Sequence, residues 1–207
     1  MIKNFKGIEN LIDEKGELKA SSQEAKKESI KAIEELAESL LGCTLCIHGN
    51  KFVIRMLEIY YGGIGDDAHD YYRNRFVSKT SKCIERTEAQ NKEGFRIYLK
   101  ADNTKSYKRN RFDIVVGDKG VPASFLIRSV WKEPNIEEYI GESNGSPNKV
   151  LQAMGLTKED HNKPIEIEDT ADKIKKEKGL KVKRDYRINV SSKFEKENNL
   201  KWNFCLK

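Results

Sequence analysis

The chain has 207 residues, of which 37% are hydrophobic and 35% charged. The apolar residues are clustered, as in LLGCTLCI and KFVIRMLEIYY, which excludes a disordered chain and allows one sizeable core. A net charge of +6 and a pI near 9.0 favour a polyanionic partner over an acidic protein surface of its own, because Lys and Arg displace counterions condensed on phosphates.

Residues 1–20 are polar with isolated apolar positions and read as a lead-in to one domain over 21–207. The start, MIKNFKGIENLIDEKGE, is too charged for a signal segment, and no apolar run reaches bilayer length. An intracellular protein without a membrane partner is expected. Its four cysteines, Cys43, Cys46, Cys83 and Cys205, are then expected as free thiols. From Ser21 or Ser22 to Leu41, the residues Ile30, Ile33, Leu36, Leu40 and Leu41 recur at helical spacing, with Ser22 as N-cap and Gly42 as the stop. Cys43–His48 and Lys51–Tyr61 predict two strands joined at Gly49-Asn50. Gly62–Asp67 is a glycine- and acid-rich turn, and residues 70–93 are polar and irregular. Gly94–Lys100 and Arg111–Val116 predict strands flanking a long basic tip, and Ala123–Trp131 a further buried strand. Pro147 and Gly155 bracket a short helix over 147–156. Strands around Arg187–Val190 and Trp202–Leu206 close the chain. Helices with mainly hairpin-connected strands make the fold α+β: a single domain with a curved, mainly antiparallel β-sheet and surrounding helices.

Positive charge is concentrated in two stretches. Arg96–Arg111 carries six basic side chains against one acid, with Tyr98 and Tyr107 among them, and Asp172–Arg184 carries seven against two. The second reads first as a solvated loop or helix face. Cys43 and Cys46, with His48 nearby, have the spacing of one zinc-ligand pair, but no second pair accompanies them, so small buried apolar roles are expected and a metal is not.

One carboxylate, Glu58, stands in the apolar strand KFVIRMLEIYY just before a glycine turn. Burying a charge is costly, so Glu58 needs a partner or a task. The ordinary alternative is an ion pair with Arg55 or another base. Alternation puts Glu58 and Tyr60 on one face, and His69 follows eleven residues after the glutamate, so acid, aromatic and imidazole could line one cleft. His69 or Tyr60 taken alone is more often structural.

The passage LAESLLGCTLCI followed by MLEIYYGGIGDDAH resembles the methylpurine (alkyladenine) DNA glycosylase family. That family's pattern runs LA-x-x-LLG-x-x-L, then E-T-E-A-Y, then an acidic turn ending in A-x-H, and the spacing from Glu58 to His69 matches without a gap. GVPASFLIRSVWKEP is similar to the family's A-x-L-I-R-A-x-E-P. NGSPNKVLQAMGLTKEDHNKPI is similar to N-G-P-G-K-L-x-Q-A-L-G-I followed by H-N-G-x-D-L, and RINV at Arg187–Val190 to R-I-G-V. In order, these segments cover roughly residues 36–206.

The resemblance implies a fold like that of the formyltransferase C-terminal domain. It also implies hydrolysis of the N-glycosidic bond of an alkylated or deaminated purine flipped out of double-stranded DNA. On this basis Glu58 would activate water, Arg128 would hold that water and the adjacent phosphate, and Tyr60, His69 and Leu126 would surround the base. Tyr98, Lys105, Tyr107, Lys108, Arg109, Arg111 and Lys149 would contact DNA. No metal or organic cofactor is implied, the lack of an evident lysine nucleophile favours hydrolysis over strand cleavage, and a monomer is expected. Arg128 could instead pair with Glu133 or with Glu58 itself, and Lys149 could simply solvate its helix. A non-catalytic nucleic-acid-binding relative is the alternative class.

The chain also departs from the pattern. Between His69 and Gly94 it lacks the family's R-x-x-x-T-P-R-N-x-x-M-F-x-x-P-G. RIYLKADNTKSYKRNRFDIVV replaces a hairpin reading Y-V-Y-x-x-Y-G-M-x-x-C-x-N. Either Tyr107 takes over as the groove wedge on a lengthened hairpin, or the wedge is lost. The family's base-screening asparagine is replaced near Val115.

Overall fold

A computed structural model describes residues 23–61, 95–100, 111–116, 123–141, 146–188 and 200–207. Helix α1 (Gln23–Leu40) buries Ile33, Leu36, Ala37 and Leu40 along one stripe, as the helical spacing requires. Strands β1 (Thr44–Ile47) and β2 (Asn50–Tyr61) form the expected hairpin. Its turn residues are His48 and Gly49, with φ of 49° and 74°, the two successive left-handed residues that a tight hairpin needs. The turn falls one residue earlier than predicted, because Asn50 already pairs with Ile47.

Strands β3 (Arg96–Lys100), β4 (Arg111–Val116) and β5 (Ala123–Lys132) lie where the sequence placed them, as does helix α2 (Pro147–Met154). Three short elements were not anticipated: β6 (Asn135–Ile140), a 3-10 turn at Lys158–Asp160, and β7 (Glu166–Glu168). The basic run resolves into helix α3 (Ala171–Lys178) and strand β8 (Val182–Asp185). Of the strand expected around Arg187–Val190, Asn189 and Val190 lie outside the described residues; β8 ends at Asp185, and Arg187 and Ile188 bond to β2 without forming a strand. Strand β9 (Asn203–Leu206) follows.

Every ladder among these strands is antiparallel. The order is β3-β4-β5-β2-β1-β7, with β6 added on β5 and with β9, carrying β8, added on β2. The sheet is a curled half-barrel.

Register sorts this sheet into two faces. Phe204, Leu57 and Ile127 lie side by side across β9, β2 and β5, and Ile59, Phe125, Ile114 and Ile97 across β2 to β3. Both rows are buried and join the α1 stripe, Val150 and Met154 in one apolar core. Each such side chain contributes about 1.5–3 kcal/mol through burial. Arg184 of β8 clamps α1 on this side, 2.8 Å from Glu34 and 2.7 Å from Glu38. The other face carries Asn203, Glu58, Leu126, Asp113 and Tyr98 in one row, and Tyr60, Ser124, Val115 and Arg96 in the next. Side chains directly opposite in antiparallel strands share a face, so one sheet surface is given to the core and the other carries Glu58 and Asp113.

Candidate active site

The β2–β5 ladder is irregular between Ile54 and Leu57, and its register passes over Arg55 on β2 and Arg128 on β5. Such a bulge re-aims side chains. Arg128 comes to Glu58, with Nε 3.0 Å from Oε1. The contact is close but off the N–H axis, so its strength is charge against charge rather than an aligned hydrogen bond. The same oxygen accepts the backbone N–H of Ile188 at 2.6 Å, and Oε2 accepts the Tyr60 hydroxyl at 3.3 Å.

Glu58 is 0% exposed. Burial pushes its carboxyl above the usual glutamate range, against the opposing pull of Arg128, the Ile188 amide, Arg187 and Tyr60. A carboxylate offers about four acceptor positions, and the hydrogen bonds from the Ile188 amide and the Tyr60 hydroxyl, those seen among the described residues, fill two of them. The ordinary alternative for Arg128, a pair with Glu58 itself, is thus the contact observed, while Arg55 and Glu133 go elsewhere. Arg55 donates to the Ser129 hydroxyl at 3.3 Å and lies 4.1 Å from the Tyr139 ring centroid, while Glu133 accepts from Thr44.

Tyr60 is 8% exposed, and two guanidinium groups stand over its ring, Arg187 at 4.8 Å and Arg111 at 5.2 Å. Burial, then the charge of Glu58, pushes its phenol up, so it stays a hydroxyl donor at any physiological pH. Arg187 also donates to the Ile59 carbonyl at 3.1 Å, which fixes the segment that delivers the Ile188 amide to Glu58. Arg111 places Nη2 3.4 Å from Oδ2 of Asp113, a carboxylate with no exposed surface.

Of the site residues read from the sequence, the structure brings Glu58, Tyr60, Leu126 and Arg128 together. His69, Lys105, Tyr107, Lys108 and Arg109 lie outside the described residues. Tyr98 is buried beside Val115, edge-on to His161 at 5.2 Å between ring centroids. Arg111 points inward to Asp113 and Tyr60, and Lys149 sits exposed on the first turn of α2. That helix is anchored by the Ser146 amide on the Arg128 carbonyl at 3.0 Å. Val115 pairs with Ser124, one row from Glu58; the β4 residue in the glutamate's own row is Asp113. Asp113, Arg187 and the Ile188 amide were missed. Asp113 carried the same signal as Glu58, a lone acid in an apolar strand, and Arg187 lay inside the quoted RINV segment.

The cysteines divide. Cys43 is buried and donates to the Ser39 carbonyl at 3.1 Å. Cys46 corrects the apolar expectation: it is only half-buried, donates to Oε1 of Glu168 at 3.3 Å, and groups with Glu166 and Glu168. Lys51 engages both oxygens of Glu168, at 2.7 and 2.8 Å, so this carboxylate already has a cation. Burial and then Glu168 push the Cys46 thiol up to about 11.

A curled antiparallel sheet with helices on its apolar face and a buried carboxylate–arginine pair on the other defines the class as an α+β protein with a buried ion pair on its sheet. The model of the methylpurine-DNA glycosylase (MPG) family matches residues 28–207, most of the chain. The chain belongs to that family, and its general function is DNA glycosylase-like. No curated protein matches it. No helix among the described residues is long and apolar enough to cross a membrane.

Proposed function

We propose that the protein is a monofunctional DNA N-glycosylase that removes damaged purines from double-stranded DNA by hydrolysis and leaves an abasic site. The observation that carries this reading is the setting of Glu58, fully buried yet held by a guanidinium, a backbone amide and a phenol. Three fixed contacts orient the carboxylate while its raised pKa keeps it basic enough to take a proton. Water positioned on Glu58 attacks C1′ as the base departs, and the carboxylate stabilises the cationic sugar. Arg128 positions Glu58 and meets the adjacent phosphate, while Tyr60 and Leu126 line the space for the flipped base. Lys105, Tyr107, Lys108, Arg109 and Lys149 serve the duplex.

The test is release of free base from duplex DNA carrying an alkylated purine, in wild type and Glu58→Gln. Wild type releases base, and Glu58→Gln is slower by at least about 10²-fold, the scale of lost general-base catalysis. Equal rates in the two proteins refute the role of Glu58. No release on any lesion, with duplex binding retained, makes the protein a binding relative instead.

A further inference from the structure

The sheet face that carries Glu58 continues past it into a basic strip. Lys183 of β8 lies opposite Cys205, Cys205 opposite Met56, and Met56 opposite Ser129, a row two residues from that of Glu58. Lys181 and Lys207 exchange backbone hydrogen bonds at 2.8 and 3.0 Å and open the next row on the same face. All three lysines are exposed, and among the described residues none meets an acid. Arg184, between two of them, turns to the other face and is taken by α1. Arg55, set aside from the ladder by its irregularity, completes the strip. It is 7% exposed, donates to the Ser129 hydroxyl at 3.3 Å, and stands over the rings of Tyr139 and Trp131, 4.1 and 5.8 Å from their centroids. No carboxylate among the described residues pairs with it. The Cys205 thiol lies among these cations: burial pushes it up, while Arg55, Lys207 and Lys183 pull the other way. A buried charge without a counter-ion is costly, and an anion supplied from outside offsets that cost.

We propose that Arg55, Lys181, Lys183 and Lys207 hold the phosphodiester backbone of duplex DNA to one side of the lesion; this rests on the glycosylase reading above. The occupant follows from charge, since four cations without an acidic partner match a polyanion. Asp185, in the row of Glu58, separates the strip from the hydrolytic centre. Rows two residues apart are about 7 Å apart along the strands, so the strip runs about 7–13 Å from the row of Glu58. A DNA strand advances about 3.4 Å per nucleotide, which puts these contacts about two to four nucleotides from the flipped base. Phosphate contacts fix register and carry no base information, so the strip serves damaged and undamaged duplex alike.

Three proteins are compared: wild type, the strip variant Lys181→Gln/Lys183→Gln/Lys207→Gln, and the control Lys27→Gln/Lys173→Gln/Lys176→Gln, which removes the same charge from the helices on the opposite face. Binding to undamaged duplex is titrated against salt, single-turnover base release is measured with saturating protein, and melting curves confirm folding. The strip variant binds more weakly, and its slope of log K against log salt is flatter by about 2–3, three contacts at about 0.9 each. The control keeps the wild-type slope, and both variants release base at the wild-type rate once saturated. Trimming the duplex on one side of the lesion removes the difference between wild type and strip variant, whereas trimming the other side leaves it. An unchanged slope in the strip variant, an equal change in the control, a slower saturated rate, or no effect of trimming on either side overturns the proposal. So does saturable binding of inorganic phosphate by wild type that the strip variant lacks, which makes the strip a site for free phosphate. Slope loss without base release by any of the proteins sustains the strip and refutes hydrolysis, and base release with an unchanged slope does the reverse. Should the triple variant fail to fold, Lys183→Gln alone flattens the slope by about 0.9, and an unchanged slope there overturns the assignment.

Discussion

Replacing Arg128 with methionine keeps the side-chain bulk and removes the charge that lies 3.0 Å from Glu58. Burial already holds the glutamate's pKa above its ordinary value, and Arg128 is the foremost of the groups restraining that rise. An opposite charge at this range is worth about 1–3 pKa units, and each unit is about 1.4 kcal/mol. Arg128→Met should therefore move the acid limb of the base-release profile up by about 1–3 units. Activity falls earlier on acidification because the working form of Glu58 is the carboxylate. Stability follows with a definite sign. A glutamate whose folded pKa is raised leaves the fold undisturbed below the unfolded pKa, where it is protonated in both states, and weakens it as pH rises through the folded pKa. The variant should melt close to wild type near pH 4 and lower by roughly 3–16 °C near pH 8, from about 1.4–4 kcal/mol at about 2–4 °C each. The double variant Glu58→Gln/Arg128→Met should regain most of this loss, because Glu58 is no longer a buried charge that has lost Arg128. Single-turnover release against pH and thermal melts at the two pH values are the assays. An acid limb that stays in place, or an equal melting loss at both pH values, would refute the electrostatic account of Glu58.

Two further outcomes test how the fold supports this centre. Gly141 has φ of 109°, and a Cβ there would collide with the Arg128 carbonyl oxygen and stand 3.0 Å from the Ser129 Cα, whereas Gly49, φ 74°, has open space around it. Gly141→Ala should cost more than about 2 kcal/mol and reduce base release by shifting Arg128, while Gly49→Ala should cost about 1 kcal/mol and spare release; equal melting losses would dismiss the packing argument. Although burial opposes it, the Thr157 amide, His48 and Lys163 hold the Asp160 carboxyl down to about 2. A depressed carboxylate contributes stability above its unfolded pKa and loses it as pH falls through the folded one. Melting curves should show Asp160→Asn below wild type at pH 6, with the gap closing between about pH 4 and 2, and a gap constant with pH would sink that reading.

Local pattern carried much of the fold. The α1 stripe is legible because Ile33, Leu36 and Leu40 repeat at the helical period, and the β2 assignment because long apolar runs with β-branched and aromatic residues favour strands. β6 and β7 escaped because one is mainly polar and the other only three residues long, with exposed or half-buried side chains that leave no alternation to read. At Arg187 and Ile188 strand character in the sequence gives no strand, because the Ile188 amide is claimed by the Glu58 carboxylate. Glu58 and Tyr60 on one face followed from alternation within a single strand, and the resemblance added Leu126 and Arg128. Asp113 did not follow, because its place beside Leu126 depends on the register of two strands joined through 117–122.

The sequence alone determined that this is an α+β domain with an apolar helix stripe, an acid set in an apolar strand, and the ordered motifs of the methylpurine-DNA glycosylase family. Those properties are written in spacing, which the backbone period converts into faces. Only the tertiary structure decided which cation meets which acid. Arg128 rather than Arg55 reaches Glu58 because of a local irregularity in the β2–β5 ladder, Glu133 is taken by Thr44, and Arg111 folds inward onto Asp113 instead of outward toward solvent. Charges choose partners by distance and desolvation once the strands are in register, and neither quantity exists until residues far apart in the chain are side by side.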